Sequence, residues 1–158
     1  MGQFCARARD QTLQCWQVDN GVWSTPVSIE ALRGVRSYAL TNSDVVCAIT
    51  EPEGEILCHN LISGTTTPLG SSKGAAAIVG GLLSAAARRS DGSWAIWNVL
   101  PSMLESVGSE PLPFTTEVPL VEVSIGGFNA CATRADDGVV CANANSGALG
   151  LMTIDLPL

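Results

Sequence analysis

The stretch Ala130-Cys131-Ala132-Thr133-Arg134-Ala135-Asp136-Asp137-Gly138-Val139-Val140-Cys141-Ala142 decides the fold. A short run of small and apolar residues enters a turn rich in aspartate and glycine, and a second short run leaves it. Asp-Gly between two such runs is a strong β-hairpin signal, because both residues tolerate the positive φ of tight hairpin turns. The template recurs in FCARARDQTLQCW over residues 4–16, VCAITEPEGEILCH over 46–59 and AAARRSDGSWAIW over 85–97. Counted from Cys5 to Cys47, Ala86 and Cys131, the copies lie 42, 39 and 45 residues apart. Asp91-Gly92 and Asp137-Gly138 are the strong turns, and Asp10-Gln11 and Glu53-Gly54 are weaker versions.

A second piece recurs between the hairpins. A proline and an apolar residue lead, through a loop, to an apolar strand: Pro26-Val27 before residues 35–40, Pro68-Leu69 before 75–79, and Pro113-Phe114 before 120–125. Pro157-Leu158 has the look of a fifth such opening. Gly80-Gly81 and Gly126-Gly127 lead into the third and fourth hairpins. Each unit thus holds about four short strands in about 40 residues, too few to bury its own apolar face, so it must stack on its neighbours. The expectation is an all-β, propeller-like array of about four short four-stranded blades in a single repeat domain, 1–158. Such an array is a small strained ring, a ring completed by a second chain, or an open arc within a larger assembly. A parallel β-helix fits less well, since its coils have shorter periods.

All six cysteines fall on the hairpin template. Cys5 and Cys15 are ten apart, Cys131 and Cys141 ten, and Cys47 and Cys58 eleven, with one extra residue around Pro52. A hairpin pivoting near Asp10 or Asp136 sets each pair face to face, at the short end of disulfide reach. The third copy has Ala86 and Ile96 at the equivalent places, so both cysteines are missing together, as partners should be. Cross-strand disulfides are therefore expected in preference to free thiols, and they imply an oxidising compartment. Structural zinc favours two to four residues between ligands, and His59, the single histidine, beside Cys58 is poor evidence for a metal or a catalytic base.

Of the residues, 46% are apolar and 15% charged, which is too apolar for disorder. A net charge of −7 disfavours nucleic acid, and the arginines at 7, 9, 33, 36, 88 and 89 are scattered over separate segments. The longest apolar stretch, residues 75–87, is shorter than the roughly 20 residues of a membrane span. The Gly2-Gln3-Phe4-Cys5 start lacks the charged and apolar regions of a signal peptide.

The template resembles the repeat of the regulator-of-chromosome-condensation family of seven-bladed propellers. Copy four carries the resemblance best, through Gly126-Gly127-Phe128-Asn129-Ala130-Cys131, Asp137-Gly138-Val139-Val140-Cys141 and Asn145-Ser146-Gly147-Ala148-Leu149-Gly150. Cys15-Trp16 in copy one, and Asp91-Gly92 and Trp97 in copy three, add to it. The cysteine-bearing form is similar to secreted bacterial members and to the extracellular repeats of some plant receptor kinases. Two departures stand out. The chain has four hairpins rather than seven, and the Asn145–Gly150 type of loop is missing from copies one to three, where stretches such as Asn60-Leu61-Ile62-Ser63-Gly64 replace it.

The function expected is a non-catalytic, secreted or extracellular interaction module. No Ser-His-Asp set is available, Asp136-Asp137 reads as a turn, and neither glycine pair has the context of a phosphate loop. No cofactor or metal is expected. The candidate partner-binding loops are residues 17–25, 60–67, 98–110 and 143–153, with Trp23, Asn60, Asn98 and Asn145 as their leading residues. Trp16, Trp94 and Trp97 lie on hairpin strands and read as core. The partner is a protein or another copy of the chain, with a glycan as a further option. Two alternatives stand beside this: a structural subunit of a fibre, coat or multi-subunit assembly, and, through the resemblance, an inhibitor of a secreted hydrolase. The cysteines argue against the family's nucleotide-exchange role on a small GTPase.

Overall fold

The computed structural model describes residues 2–42, 44–99, 110–114, 116–127, 129–143 and 152–154. Among them there is no helix. Sixteen strands form four antiparallel sheets. The first holds β1 (Gly2–Arg7), β2 (Leu13–Asp19), β3 (Val22–Trp23) and β4 (Val27–Ile29). The second holds β5 (Val35–Asn42), β6 (Val45–Thr50), β7 (Glu55–Asn60) and β8 (Thr66–Pro68). The third runs β9 (Ala75–Gly80), β10 (Ser84–Arg89), β11 (Trp94–Asn98) and β12 (Leu112–Phe114), and the fourth β13 (Leu120–Gly126), β14 (Asn129–Arg134), β15 (Val139–Asn143) and β16 (Met152–Ile154). These are the four blades of a propeller-like arc whose sheets do not close into a ring.

Each expected hairpin is a pair of adjacent strands: β1–β2, β6–β7, β10–β11 and β14–β15, the last three pairs central in their sheets. The cysteines stand directly opposite one another, Cys5 with Cys15, Cys47 with Cys58 and Cys131 with Cys141, and each pair is bonded, with Cα atoms 4.0–4.1 Å apart. Ala86 and Ile96 face one another in the same register in the third blade.

Successive residues of a strand point to opposite faces, and that alternation builds the stack. In the second blade Cys47, Ile49, Ile56 and Cys58 face the third blade and pack with Ala85, Ala87, Ala95 and Trp97. Val46 and Ala48, between them in sequence, face the first blade and pack with Leu13, Cys15 and Ile29. Ala86, Trp94 and Ile96 repeat the forward face against Ala130, Ala132 and Val140 of the fourth blade. The two middle blades are thus buried on both faces, and Trp97 adds a hydrogen bond, its indole N–H donating to the Gly70 carbonyl of the preceding blade at 2.9 Å.

Three of the four turns share one device. The Asp10 carboxylate accepts the Thr12 N–H and hydroxyl at 3.1 and 2.8 Å, and Asp91 accepts the Ser93 N–H and hydroxyl at 2.9 and 2.6 Å. Asp136 accepts the Gly138 N–H at 3.3 Å. The residue between takes a positive φ: Gln11 at 63°, Gly92 at 86° and Asp137 at 65°. In the fourth copy the left-handed place therefore belongs to Asp137, one residue earlier than the Asp137-Gly138 reading implied. The reason is that Asp136, not Asp137, supplies the capping carboxylate.

At the arc's inner side β9 packs against both β5 and β13. Gly80 and Gly81 allow this approach. A Cβ on Gly80 would overlap the Leu40 carbonyl oxygen, and one on Gly81 would overlap the Ile125 side chain.

Gly80→Ala is expected to destabilise the fold by about 1–3 kcal/mol, because a backbone atom must move to admit the methyl. Asp137→Gly is expected to stabilise it by about 0.5–1 kcal/mol, since glycine takes positive φ without the Cβ penalty. Urea denaturation of both variants checks the pair, and an unchanged midpoint for Gly80→Ala contradicts the close approach.

Candidate functional site

The first blade gathers the surface features. Its forward face is covered by the second blade, but its backward face meets no preceding blade among the described residues. Phe4 on β1 stands opposite Trp16 on β2, and Trp23 on β3 stands opposite Val18 of β2. The Phe4 and Trp16 rings stack with centroids 6.3 Å apart, and Phe4 and Trp23 tilt together at 5.4 Å. Phe4 is 43% exposed and Trp23 61%. By register, Phe4 occupies the place of Val46, Ala85 and Ala130, all buried between blades, and Trp16 occupies that of Trp97. An aromatic patch thus sits where a blade interface would otherwise be.

Beside the patch a groove of about 540 Å³ opens between the first two blades. Trp16, Gln17, Ser24 and Ser28 line it from the first blade, and His59 and Leu61 from the second. Glu30, ion-paired with Arg33, is the single formal charge on its lining. Amides, hydroxyls and a neutral imidazole in an open, weakly charged groove suit recognition of polar and aromatic groups.

The four residues singled out from the sequence fall in different settings. Trp23 projects from a two-residue strand that extends the first hairpin, so the stretch 17–25 is mostly β-structure rather than loop. Asn60 is buried, and its side-chain oxygen accepts the N–H groups of Ile62 and Ser63 at 2.9 and 3.1 Å, which shapes the turn after β7. Asn98 is half-buried at the end of β11. Asn145 lies outside the described residues, as does most of the stretch 98–110. Trp94 and Trp97 are buried, whereas Trp16 is only half-buried, with no earlier blade against it among the described residues. Phe4 was not among the sequence candidates. Its signal was present, since it adjoins Cys5 as Trp16 adjoins Cys15, and paired cysteines place their neighbours opposite one another.

Among the described residues, no helix is long and apolar enough to cross a membrane, and no group of three or more His, Cys, Asp or Glu is placed to hold a metal ion.

His59 Nδ1 lies 2.7 Å from the Thr66 hydroxyl, and burial pushes its imidazole below the ordinary value of 6.5. The folded chain therefore resists a proton that the unfolded chain accepts. The stability tied to a neutral His59 is fully present above about pH 6.5 and is lost as the pH falls through the lower folded value. The aspartates of the turns are held below their ordinary value of 3.8, Asp10 and Asp91 chiefly by the Thr12 and Ser93 hydroxyls and Asp136 by the Arg134 side chain, so they titrate outside this window. The melting temperature is expected to fall between pH 7 and pH 5, and His59→Gln to flatten that fall. Melts followed by circular dichroism over this range check it, and an unaltered pH profile in His59→Gln contradicts the assignment.

Neither a protein-family model nor a curated protein sequence matches the chain. Solved structures do. Prp20p from Saccharomyces cerevisiae superposes with a TM-score of 0.65 at 13% identity, over 90% of this chain and 41% of that one. Human WBSCR16 gives 0.65 at 15% identity, over 99% of this chain and 51% of that one. The CRINKLY WD40 ectodomain of the Arabidopsis thaliana receptor kinase ACR4 gives 0.58 at 19% identity, over 93% and 49%. The shared feature is the β-propeller fold, of which this chain spans about half the length in each case.

Proposed function

We propose that this chain is a non-catalytic, secreted protein-interaction module built on a propeller scaffold, with Trp23 and Phe4 as its contact anchor. The observation that carries the reading is the stacked Phe4–Trp16–Trp23 cluster, exposed on a rigid sheet whose other face is locked to the second blade. Aromatic side chains of this kind dominate binding energy at protein interfaces. Protein recognition also recurs on this fold. The yeast neighbour Prp20 binds Gsp1p and histones and is bound by Kap60, and the plant neighbour is the ectodomain of a receptor kinase. Three disulfides are compatible with an oxidising environment. A second reading, a structural subunit of a larger assembly, draws on the apolar side chains exposed on the first and fourth blades. On the fourth blade Val121 is 56% exposed.

The test has two parts. Size exclusion with light scattering is expected to give a discrete small particle, whereas large, polydisperse particles favour the structural subunit and overturn the module. Immobilised chain and its Trp23→Ser variant are then used to capture protein from the medium of the source cells. The variant is expected to melt as the parent does and to retain a partner at least about tenfold less well. Equal retention overturns Trp23 as the anchor.

A further inference from the structure

The loops that lead from one blade to the next are built to one plan. Residues 30–34, 70–74 and 115–119 precede the inner strands, which start at Val35, Ala75 and Leu120. The carbonyl of the last loop residue accepts an N–H from the hairpin of the following blade: Gly34 from Glu51 at 3.0 Å, Gly74 from Ser90 at 3.0 Å and Pro119 from Ala135 at 2.9 Å. In the first two loops the middle residue is buried and plugs the space between two blades. Leu32 packs with Leu13 of the first blade and with Val35 and Val46 of the second. Ser72 accepts the Ile56 N–H on its hydroxyl at 3.0 Å.

The third loop departs from this plan. Gly34 and Gly74 take positive φ, 66° and 82°, and Pro119 stands in their place. The proline ring holds φ at about −65°, so the chain cannot follow the same path. Glu117, the counterpart of Leu32 and Ser72, is exposed. Between the third and fourth blades a cavity of about 240 Å³ opens, walled by Asp91, Ser93, Trp94, Phe114, Val118 and Leu120. All of its walls come from residues 91–120, between two consecutive blades.

Trp94 is the residue out of pattern on these walls. Two places on from the central pair, the other blades have Leu13, Ile56 and Val139. Only Trp94 brings a polar atom to that place. It is 7% exposed, and its indole N–H is buried with no acceptor among the described residues. Trp97, three residues on, does have one, the Gly70 carbonyl. A buried donor without an acceptor is costly, so the fold gains from an acceptor brought into the cavity.

We propose that this cavity is a binding site for a compact, uncharged small molecule whose carbonyl oxygen accepts the Trp94 indole N–H, with its apolar body against Phe114, Val118 and Leu120. Amides, lactams and ketones have this chemistry. The absence of charge follows from the walls. The Asp91 carboxylate, which takes the Ser93 N–H and hydroxyl, repels an anion, and a cation would give up its hydration against Phe114, Val118 and Leu120. Because the indole nitrogen is covered, the ring shifts as the ligand enters. The site is distinct from the Trp23 patch of the first blade, so the two proposals stand or fall separately.

The probe is N-methyl-2-pyrrolidone, a lactam that accepts hydrogen bonds and donates none, titrated into the intact chain labelled with nitrogen-15. The chain has four tryptophans, and the indole signal lost in Trp94→Phe identifies Trp94. That signal is expected to move downfield, with one-to-one binding and a dissociation constant on the order of millimolar. Trp94→Phe, followed through the amide signals of residues 91–93 and 118–120, is expected to bind about three- to tenfold less well, as one neutral hydrogen bond is lost. Glu117→Leu combined with Pro119→Gly restores the plug of the first loop, and is expected to raise the melting temperature and abolish binding. Three results overturn the proposal: a Trp94 indole signal that stays still at on the order of tens of millimolar probe, equal affinity in Trp94→Phe, or undiminished binding in the plugged variant with native circular dichroism. An indole proton that exchanges magnetisation with a bound water the probe does not displace also overturns it, since the acceptor is then water only.

Discussion

Every blade of this protein depends on the register of its central hairpin. When Cys47 stands opposite Cys58, the alternation of the strand sends both sulfurs towards the next blade and sends Val46 and Ala48 back towards the previous one. A slip of one residue would exchange the two faces and leave each blade presenting the wrong set of side chains to its neighbour. The disulfide fixes that register covalently in three blades. In the third, Ala86 opposite Ile96 holds the same register by packing alone, between two neighbours that are themselves pinned.

From this register follows a directional stack. Each of the first three blades offers its forward face, which bears the disulfide in the first two, to the backward face of the next, and the inner strands close against one another through Gly80 and Gly81. Among the described residues, the backward face of the first blade meets no other blade, and it is aromatic, with Phe4, Trp16 and Trp23. Tyr38 and Arg7 tie the first two blades together through hydrogen bonds to the Cys5, Val35 and Arg36 carbonyls. On the fourth blade Val121 is exposed.

Much of the fold was legible in the sequence because its signals are local. Asp-Gly turns, cysteines ten or eleven apart and apolar runs at about 40-residue spacing define hairpins and units without reference to distant contacts. The paired absence of both cysteines at Ala86 and Ile96 read correctly as a shared register. The site was less legible, because it depends on what does not cover a residue. Trp16 and Trp97 occupy the same place in the repeat, yet Trp97 is buried and hydrogen-bonded to Gly70 while Trp16 is half-open beside Phe4. Nothing within either hairpin distinguishes the two; what differs, among the described residues, is whether another blade packs against the ring. Asn60 likewise reads as an exposed loop residue, and its role in the turn depends on Ile62 and Ser63 folding back onto it. The capping exchange between Asp136 and Asp137 was hidden because adjacent aspartates look alike until one of them is seen to accept the Gly138 N–H.

The most direct test of this account is the disulfide map of the unreduced chain, read by proteolysis between the cysteines and mass spectrometry of the linked fragments. The account expects three bonds, each within one hairpin: Cys5–Cys15, Cys47–Cys58 and Cys131–Cys141. A bond linking two different hairpins, or thiols that remain free in the native chain under oxidising conditions, would contradict the register on which the stack rests.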